Sequence, residues 1–290
     1  MNFLAAIVAA VVVGTWNGRW FPSGRAEHRA NPAVEEATVS AAAEMLRGAL
    51  AKIDPGGTNE VILCLNEIRG PVSASNLIAR IGHRNLAIAA ITRYRRRDRF
   101  DMQQDVIATT LPVASAGWSR WKNMRELTPP RGYAFAAVVL NPATTADVYA
   151  VHLKSNYGAN TDAKRELNRQ KRARAVEQLV ERARRGREAR PVIVAGDLNA
   201  DRWRKEFSEE RIFDIFEQAG FTNTLSLLPA DGRGTYPSRK WGDSALDYVM
   251  IRGFNVLGTP LIAANDGLSD HFAVFVTIEQ RQTETTKRWN

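Results

Sequence analysis

A second cysteine is missing from this sequence, and Cys64 stands alone among 290 residues. A lone cysteine excludes an internal disulfide framework and a cysteine zinc cluster. Its place inside the apolar run Val61 to Leu65 suits a small buried core residue better than a nucleophile. The absence of disulfides fits a reducing compartment, yet many exported proteins also do without them, so cytoplasmic and secreted bacterial locations both stay open. Long apolar runs are scarce as well. Phe3 to Val13 is unbroken but too short to span a bilayer, and it reads either as the core of an export signal or as a buried first strand. No Lys or Arg precedes it, and no small-x-small site separates it from Gly14-Thr15-Trp16-Asn17. Val11 to Val13 therefore reads as strand, and residues 1–10 are where a signal remnant would lie. No amphipathic insertion or hydrophobic tail offers a hold on a membrane. No repeat, low-complexity tract or Pro/Gly/Ser linker divides the chain, so residues 1–290 read as one domain with a polar tail at 280–290.

What is present is the balance of an ordinary globular protein, 44% hydrophobic and 24% charged, with a net charge of +9. Two segments carry that excess. Arg93 to Arg99 holds five Arg against Asp98, a net of +4, and Asp162 to Arg190 holds eleven Lys or Arg against five acids, a net of +6. Such segments are either solvated faces or surfaces for an anionic partner.

The elements alternate in type. Asn31-Pro32 reads as a helix N-cap followed by proline at the first helical position, with Glu35 and Glu36 in the first turn and Asp54-Pro55-Gly56-Gly57 as the stop. Val61 to Leu65 is a short, wholly apolar run, the pattern of a strand covered on both faces. Further strands are expected at Leu86 to Thr92, Asp105 to Thr110, Tyr133 to Leu140, Val148 to Leu153, Val192 to Ala195, Leu246 to Ile251 and Phe272 to Ile278. Helical spacing occupies Asp162 to Arg185 and Ser208 to Ala219, the first with few apolar positions and so predicted to lie outside with one face inward. About nine strands and three or four helices in mixed order predict two packed sheets with helices outside them.

Polar residues of catalytic type recur at the expected C-terminal ends of these strands: Asn17, Glu67, His152, Asp197 with Asn199, Asp247, and Asp270 with His271. Strands ending at one edge hold such groups on rigid backbone, as a preorganised site requires. Carboxylates to hold a hard dication, an imidazole to move a proton, and neutral donors for phosphoryl oxygens are what hydrolysis of a phosphate ester needs.

The landmarks Thr15-Trp16-Asn17, Leu65-Asn66-Glu67, Val151-His152-Leu153-Lys154-Ser155, Gly196-Asp197-Leu198-Asn199, Leu246-Asp247-Tyr248 and Ser269-Asp270-His271 occur in that order. Together they resemble the endonuclease/exonuclease/phosphatase superfamily, which includes deoxyribonucleases, abasic-site endonucleases, neutral sphingomyelinases, deadenylases and inositol polyphosphate phosphatases. The resemblance implies an α/β (α+β) fold, a four-layered α/β/β/α sandwich of two mixed, mainly antiparallel sheets. It implies attack of water on phosphorus with Mg2+ or Mn2+, Ca2+ being open as a second ion.

Carried across, the resemblance makes Asn17, Glu67 and Asp270 metal-side residues. It gives Asp197 the water, Asn199 a phosphoryl oxygen, His271 the base or phosphate contact, and Asp247 the orientation of His271. His152 looks like the general acid of the deoxyribonuclease and sphingomyelinase branches. Arg131, Lys154 and Asn156 resemble substrate contacts. Position 66 is Asn, where the family commonly has Gln. Trp16, Trp20, Trp118, Trp121, Trp203 and Trp241 are candidates for stacking a base, though most tryptophans pack. The expected activity is a nuclease acting on a DNA or RNA backbone, with no obligatory protein partner and a monomeric state; the alternative is a sphingomyelinase-like enzyme on a lipid or inositol phosphate.

Overall fold

Alternation along the first strands sets the architecture. In β1 (Val11–Phe21), Val11 and Val13 face a second sheet, while Val12 and Trp16 face α1 (Pro32–Ile53) and its neighbour α2 (Pro71–Ile81). In β2 (Glu60–Ile68), Ile62 and Cys64 point between the sheets and Val61, Leu63 and Leu65 point at the helices. Side chains of a strand alternate in this way, so a strand buried on both faces must be apolar throughout. These coordinates are a computed structural model and describe residues 10–23, 31–96, 99–100, 103–185, 190–238 and 242–282. Met1 to Ala9, the stretch where a signal remnant would lie, Arg97, Asp98, Arg187, Trp241 and most of the polar tail lie outside the described residues.

The remaining strands are β3 (Ala87–Ile91), β4 (Arg95–Arg96), β5 (Arg99–Phe100), β6 (Gln104–Thr109), β7 (Val113–Arg120), β8 (Gly132–Asn141), β9 (Thr144–His152), β10 (Val192–Asp197), β11 (Thr222–Asn223), β12 (Asp247–Arg252), β13 (Phe254–Ala263) and β14 (Ala273–Gln280). One six-stranded sheet runs β13-β14-β1-β2-β6-β3, the other β11-β12-β10-β9-β8-β7, and β4 pairs with β5 apart from both. Outside the second sheet lie α3 (Asp162–Arg184) and α4 (Ile212–Gln218), which share its core through Val176, Leu179, Phe213 and Phe216. The result is the layered α/β/β/α sandwich expected from the resemblance. No helix among the described residues is long and apolar enough to cross a membrane.

Besides the two-residue strands β4, β5 and β11, three longer elements had no expectation. The edge strand β7 is made largely of small, exposed residues, and β13 is broken by a register shift between Leu257 and Leu261, next to Gly258 and Pro260. Helix α2 is only 11 residues long. The helix expected over Ser208 to Ala219 begins only at Ile212, because Glu210 is turned inward onto Arg172 instead of lying on a solvated face.

Candidate active site

The site forms where one end of each sheet meets the other. Asp197 is the last residue of β10 and sits in register with His152 of the parallel strand β9 on one side and Asp247 of the antiparallel strand β12 on the other. In the facing sheet, Asn17 of β1 pairs with Asn66 of β2, and Glu67 follows at once. Asp247 opens its strand and Asp270 and His271 precede β14, so these three stand at N-terminal strand ends, not at the C-terminal ends expected. They reach the same edge because β12 and β14 run antiparallel to β10 and β1.

Local backbone geometry is unusual here. Arg19, Trp20, Glu67, Arg131 and Asn199 all have positive φ, between 48° and 66°, a conformation that costs free energy for residues with a Cβ and persists only when surrounding contacts enforce it. Strand geometry stops at Asp197, and Asn199 meets it through a left-handed turn. Asn199 N–H donates to Asp197 Oδ1 at 2.8 Å, and its Nδ2 donates to the Leu153 carbonyl at 3.2 Å. Gly196 has φ +145°, and a Cβ there would lie 1.9 Å from the Val151 carbonyl oxygen, so only glycine fits.

Asn17 stands between two carboxylates. Its Nδ2 donates to Asp197 Oδ2 at 2.9 Å and to Glu67 Oε1 at 3.4 Å, while its Oδ1 accepts the Arg19 N–H at 2.9 Å. The second oxygen of Glu67 accepts the Trp20 N–H at 3.2 Å. Two imidazoles approach one oxygen: His152 Nε2 lies 3.5 Å and His271 Nε2 3.9 Å from Asp197 Oδ2. His271 Nδ1 is 2.8 Å from Asp247 Oδ2, which also accepts the Thr235 hydroxyl at 2.8 Å. Asp270 has Arg19 Nε at 3.3 Å and His271 Nε2 at 4.0 Å.

The two histidines differ in charge state. Burial works against a charged His271, but Asp247, Asp197 and Asp270 outweigh it and raise its pKa to about 10. His152 is pushed well below the ordinary value by burial and by the positive charge of Arg131, His271 and Lys154. Its buried Nδ1 has no hydrogen-bond partner among the described residues. Burial pushes the Asp197 carboxyl up, against the pull of His271.

A cation would find oxygen-rich surroundings. Asp197, Asp247 and His271 offer ligand atoms within 4.8 Å of one another, and the buried Oδ1 of Asp247 has no hydrogen-bond partner among the described residues. Glu67 joins this group through the shared Asn17 amide. Carboxylates in this number suit a hard dication such as Mg2+ or Mn2+. This cluster differs from the Asn17, Glu67 and Asp270 set suggested by the resemblance.

The three expected substrate contacts are turned toward protein groups. Arg131 donates from Nε to the His152 carbonyl at 3.2 Å, from Nη2 to the Leu153 carbonyl at 2.8 Å and from Nη1 to Gln103 at 2.9 Å, so it braces the end of β9. Lys154 Nζ donates to the Ser155 carbonyl at 2.6 Å, and burial pushes its pKa down. Asn156 Oδ1 accepts from Arg172 at 3.2 Å. Arg172 itself is wholly buried, paired with buried Glu210, and donates to the Lys154 carbonyl at 2.6 Å. Among the tryptophans, Trp16 and Trp121 are core residues, whereas Trp118 and Trp203 are 36% and 39% exposed. Sequence reasoning missed Thr235, Tyr236, Arg172 and Asp105; the Tyr236 ring sits edge-on to His271 at 4.9 Å.

No curated protein sequence matches the chain. Solved structures do. An endonuclease/exonuclease/phosphatase from Beutenbergia cavernae aligns with a TM-score of 0.63 at 15% identity, covering 94% of this chain and 72% of that one. Sphingomyelinase C from Streptomyces griseocarneus aligns at 0.60 and 16% identity, covering 92% and 99%. D. rerio TDP2 complexed with single strand DNA product aligns at 0.59 and 13% identity, covering 93% and 99%. At such identities the likeness is one of fold. The sequence itself is matched by the Endonuclease/Exonuclease/phosphatase family over residues 14–271, which spans every site residue described above, and the chain belongs to that family.

Proposed function

We propose that the protein is a divalent-metal-dependent phosphodiesterase that cleaves nucleic acid. The observation that carries the phosphodiesterase reading is the approach of His152 and His271, one neutral and one positively charged, to the same Asp197 oxygen at 3.5 and 3.9 Å. Charged His271 offers Nε2 to a phosphoryl oxygen, and Asp247 keeps its Nδ1 engaged. Asp197 is placed to orient a water, with Asn199 and Asn17 holding its two oxygens. His152, at the end of β9, faces the same space and takes the part of proton donor once an anionic substrate raises its basicity. A metal ion held by Asp197 and Asp247, with Glu67 beside them, would supply Lewis-acid stabilisation of the phosphoryl charge.

Nucleic acid is supported by the net charge of +9. One finding favours a second reading, a lipid or inositol phosphodiester: several cations of the basic segment around α3 are engaged within the protein and are not free for a phosphate backbone. Arg165, Arg169, Arg174 and Arg185 pair with acids of the same helix, Arg190 pairs with Asp147, and Arg172 is buried.

The test is incubation with plasmid, single-stranded DNA, RNA, bis-p-nitrophenyl phosphate and sphingomyelin, with Mg2+, Mn2+ or chelator. Metal-dependent cleavage of a nucleic acid, weakening steeply with salt, is the expected result. Cleavage of sphingomyelin alone would replace the substrate, and no cleavage of any of them would overturn the enzyme reading.

A further inference from the structure

The carboxylates of Glu67 and Asp197 stand on different sheets; the Asn17 amide bridges them directly, and the side chain of Asn66 ties the main chain behind them. Its Oδ1 accepts the main-chain N–H of Asp197 at 3.0 Å, and its Nδ2 donates to Asp105 Oδ1 at 2.8 Å. The direction of this chain is fixed at one end, because a main-chain N–H only donates. The carbonyl end of the amide must face β10, so the amino end must face β6 and needs an acceptor there. Asp105 supplies it, wholly buried. Its other oxygen accepts the Tyr94 hydroxyl at 3.2 Å, and its own N–H donates to Thr92 Oγ1 at 2.8 Å. A Cβ at position 196 would come within 2.9 Å of Asn66 Oδ1, so Gly196 leaves the room this tie requires.

We infer that Asp105 is a positioning residue for phosphodiester hydrolysis: by fixing which way the Asn66 amide points, it holds the main chain of Asp197 and the spacing of the Asp197 and Glu67 carboxylates across the cleft. The inference rests on the proposed reading of Asp197 as part of the catalytic machinery. Partners that orient a working group from behind cost on the order of 10- to 100-fold when removed. Asp105→Asn keeps an oxygen acceptor toward Asn66, whereas Asp105→Leu has similar bulk and no acceptor.

The experiment measures kcat and KM on bis-p-nitrophenyl phosphate with Mn2+, the thermal midpoint, and hydrogen exchange at the Asp197 amide. The proteins are wild type, Asp105→Asn, Asp105→Leu, Asn66→Ala, the Asn66→Ala/Asp105→Leu double variant and Asp197→Ala. Expected are a kcat near wild type for Asp105→Asn and a fall of on the order of 10- to 100-fold with little change in KM for Asp105→Leu and Asn66→Ala. The double variant is expected to be no slower than Asn66→Ala, since both act through one amide. Protection of the Asp197 amide should fall with kcat. Wild-type kcat and amide protection in Asp105→Leu, or losses that multiply in the double variant, would overturn the inference. Should Asp105→Leu fail to fold, Asp105→Ser, whose hydroxyl is too short to reach Asn66, carries the same expectation. Full activity in Asp197→Ala would remove the catalytic reading of Asp197, and with it the catalytic part of this inference. Amide exchange then still decides whether Asp105 sets the tie.

Discussion

Asp247 holds His271 by a 2.8 Å contact from Oδ2 to Nδ1, and the hydroxyl of Thr235 steadies the same carboxylate oxygen. This leaves Nε2 as the ring atom facing the cleft, and the neighbouring acids raise the imidazole to about 10 despite its burial. A histidine raised in the folded state stabilises fully below its ordinary value near 6.5 and loses that contribution as pH rises through about 10. Asp247→Asn keeps the shape and removes the charge. It is expected to bring the His271 titration, followed by NMR of the ring, down toward the ordinary range, and to flatten the loss of stability on the alkaline side. His271→Ala should lower kcat on bis-p-nitrophenyl phosphate by on the order of 100- to 10,000-fold. A His271→Ala variant as active as wild type would remove the ring from the chemistry.

Asp105 offers a test of opposite sign. Burial raises its carboxyl to about 7, against hydrogen bonds from Asn66 and Tyr94 and the charge of Arg131. A carboxyl raised in the folded state costs nothing below its unfolded value near 4, because both states are then protonated, and costs most above about 7. Asp105→Asn has no such titration. Its thermal midpoint relative to wild type is therefore expected to climb between pH 4 and 7 and to level off above, read by circular dichroism at each pH. A difference independent of pH would show that Asp105 is ionised at no greater cost folded than unfolded.

Much of the fold was legible because some segments allow one reading only. Val61 to Leu65 and Val192 to Ala195 are too short for helices and too apolar for loops, and they became the buried centres of β2 and β10. The edge strand β7 had no such signal, since a strand exposed along most of its length needs no apolar pattern. The site residues were legible as chemical types in order along the chain, but their partners were not. Asn66, Asp105 and Thr235 act through contacts between residues far apart in sequence, which periodicity cannot report. Arg172 is the instructive case. Counted with the surface charge of α3, it lies on the stripe shared by Asn168, Ala175, Val176 and Leu179, so its spacing from Val176 and Leu179 already placed it inward.

Glu67 tests the metal. It reaches the cleft from the first sheet, held by Asn17 and by the Trp20 N–H in a left-handed backbone. Glu67→Gln keeps the hydrogen-bonding shape and removes the charge a dication requires. The variant is expected to lose metal-dependent hydrolysis and to bind Mn2+ more weakly by calorimetry, with its fold intact by circular dichroism. Chelator should abolish wild-type activity and excess Mn2+ should restore it. Unchanged Mn2+ binding in Glu67→Gln would leave Asp197 and Asp247 as the ligands without it.

The Arg172 and Glu210 pair makes a prediction about stability and loop order together. Arg172 is 0% and Glu210 5% exposed, and Arg172 also holds the Lys154 carbonyl and the Asn156 side chain, so one buried guanidinium joins α3, the turn before α4 and the loop after His152. Removing one partner strands a buried charge, which costs about 3–5 kcal/mol, whereas replacing both by apolar residues of similar volume is often neutral. Arg172→Met alone is therefore expected to lower the denaturation midpoint sharply. Arg172→Met with Glu210→Leu should recover most of that loss. Activity should not recover with it, because the methionine cannot hold Lys154 and Asn156, and the loop beside His152 loses its anchor. Limited proteolysis at residues 154–160 checks the loop directly. A double variant that regains both stability and activity would show that the pair serves the fold and leaves the site untouched.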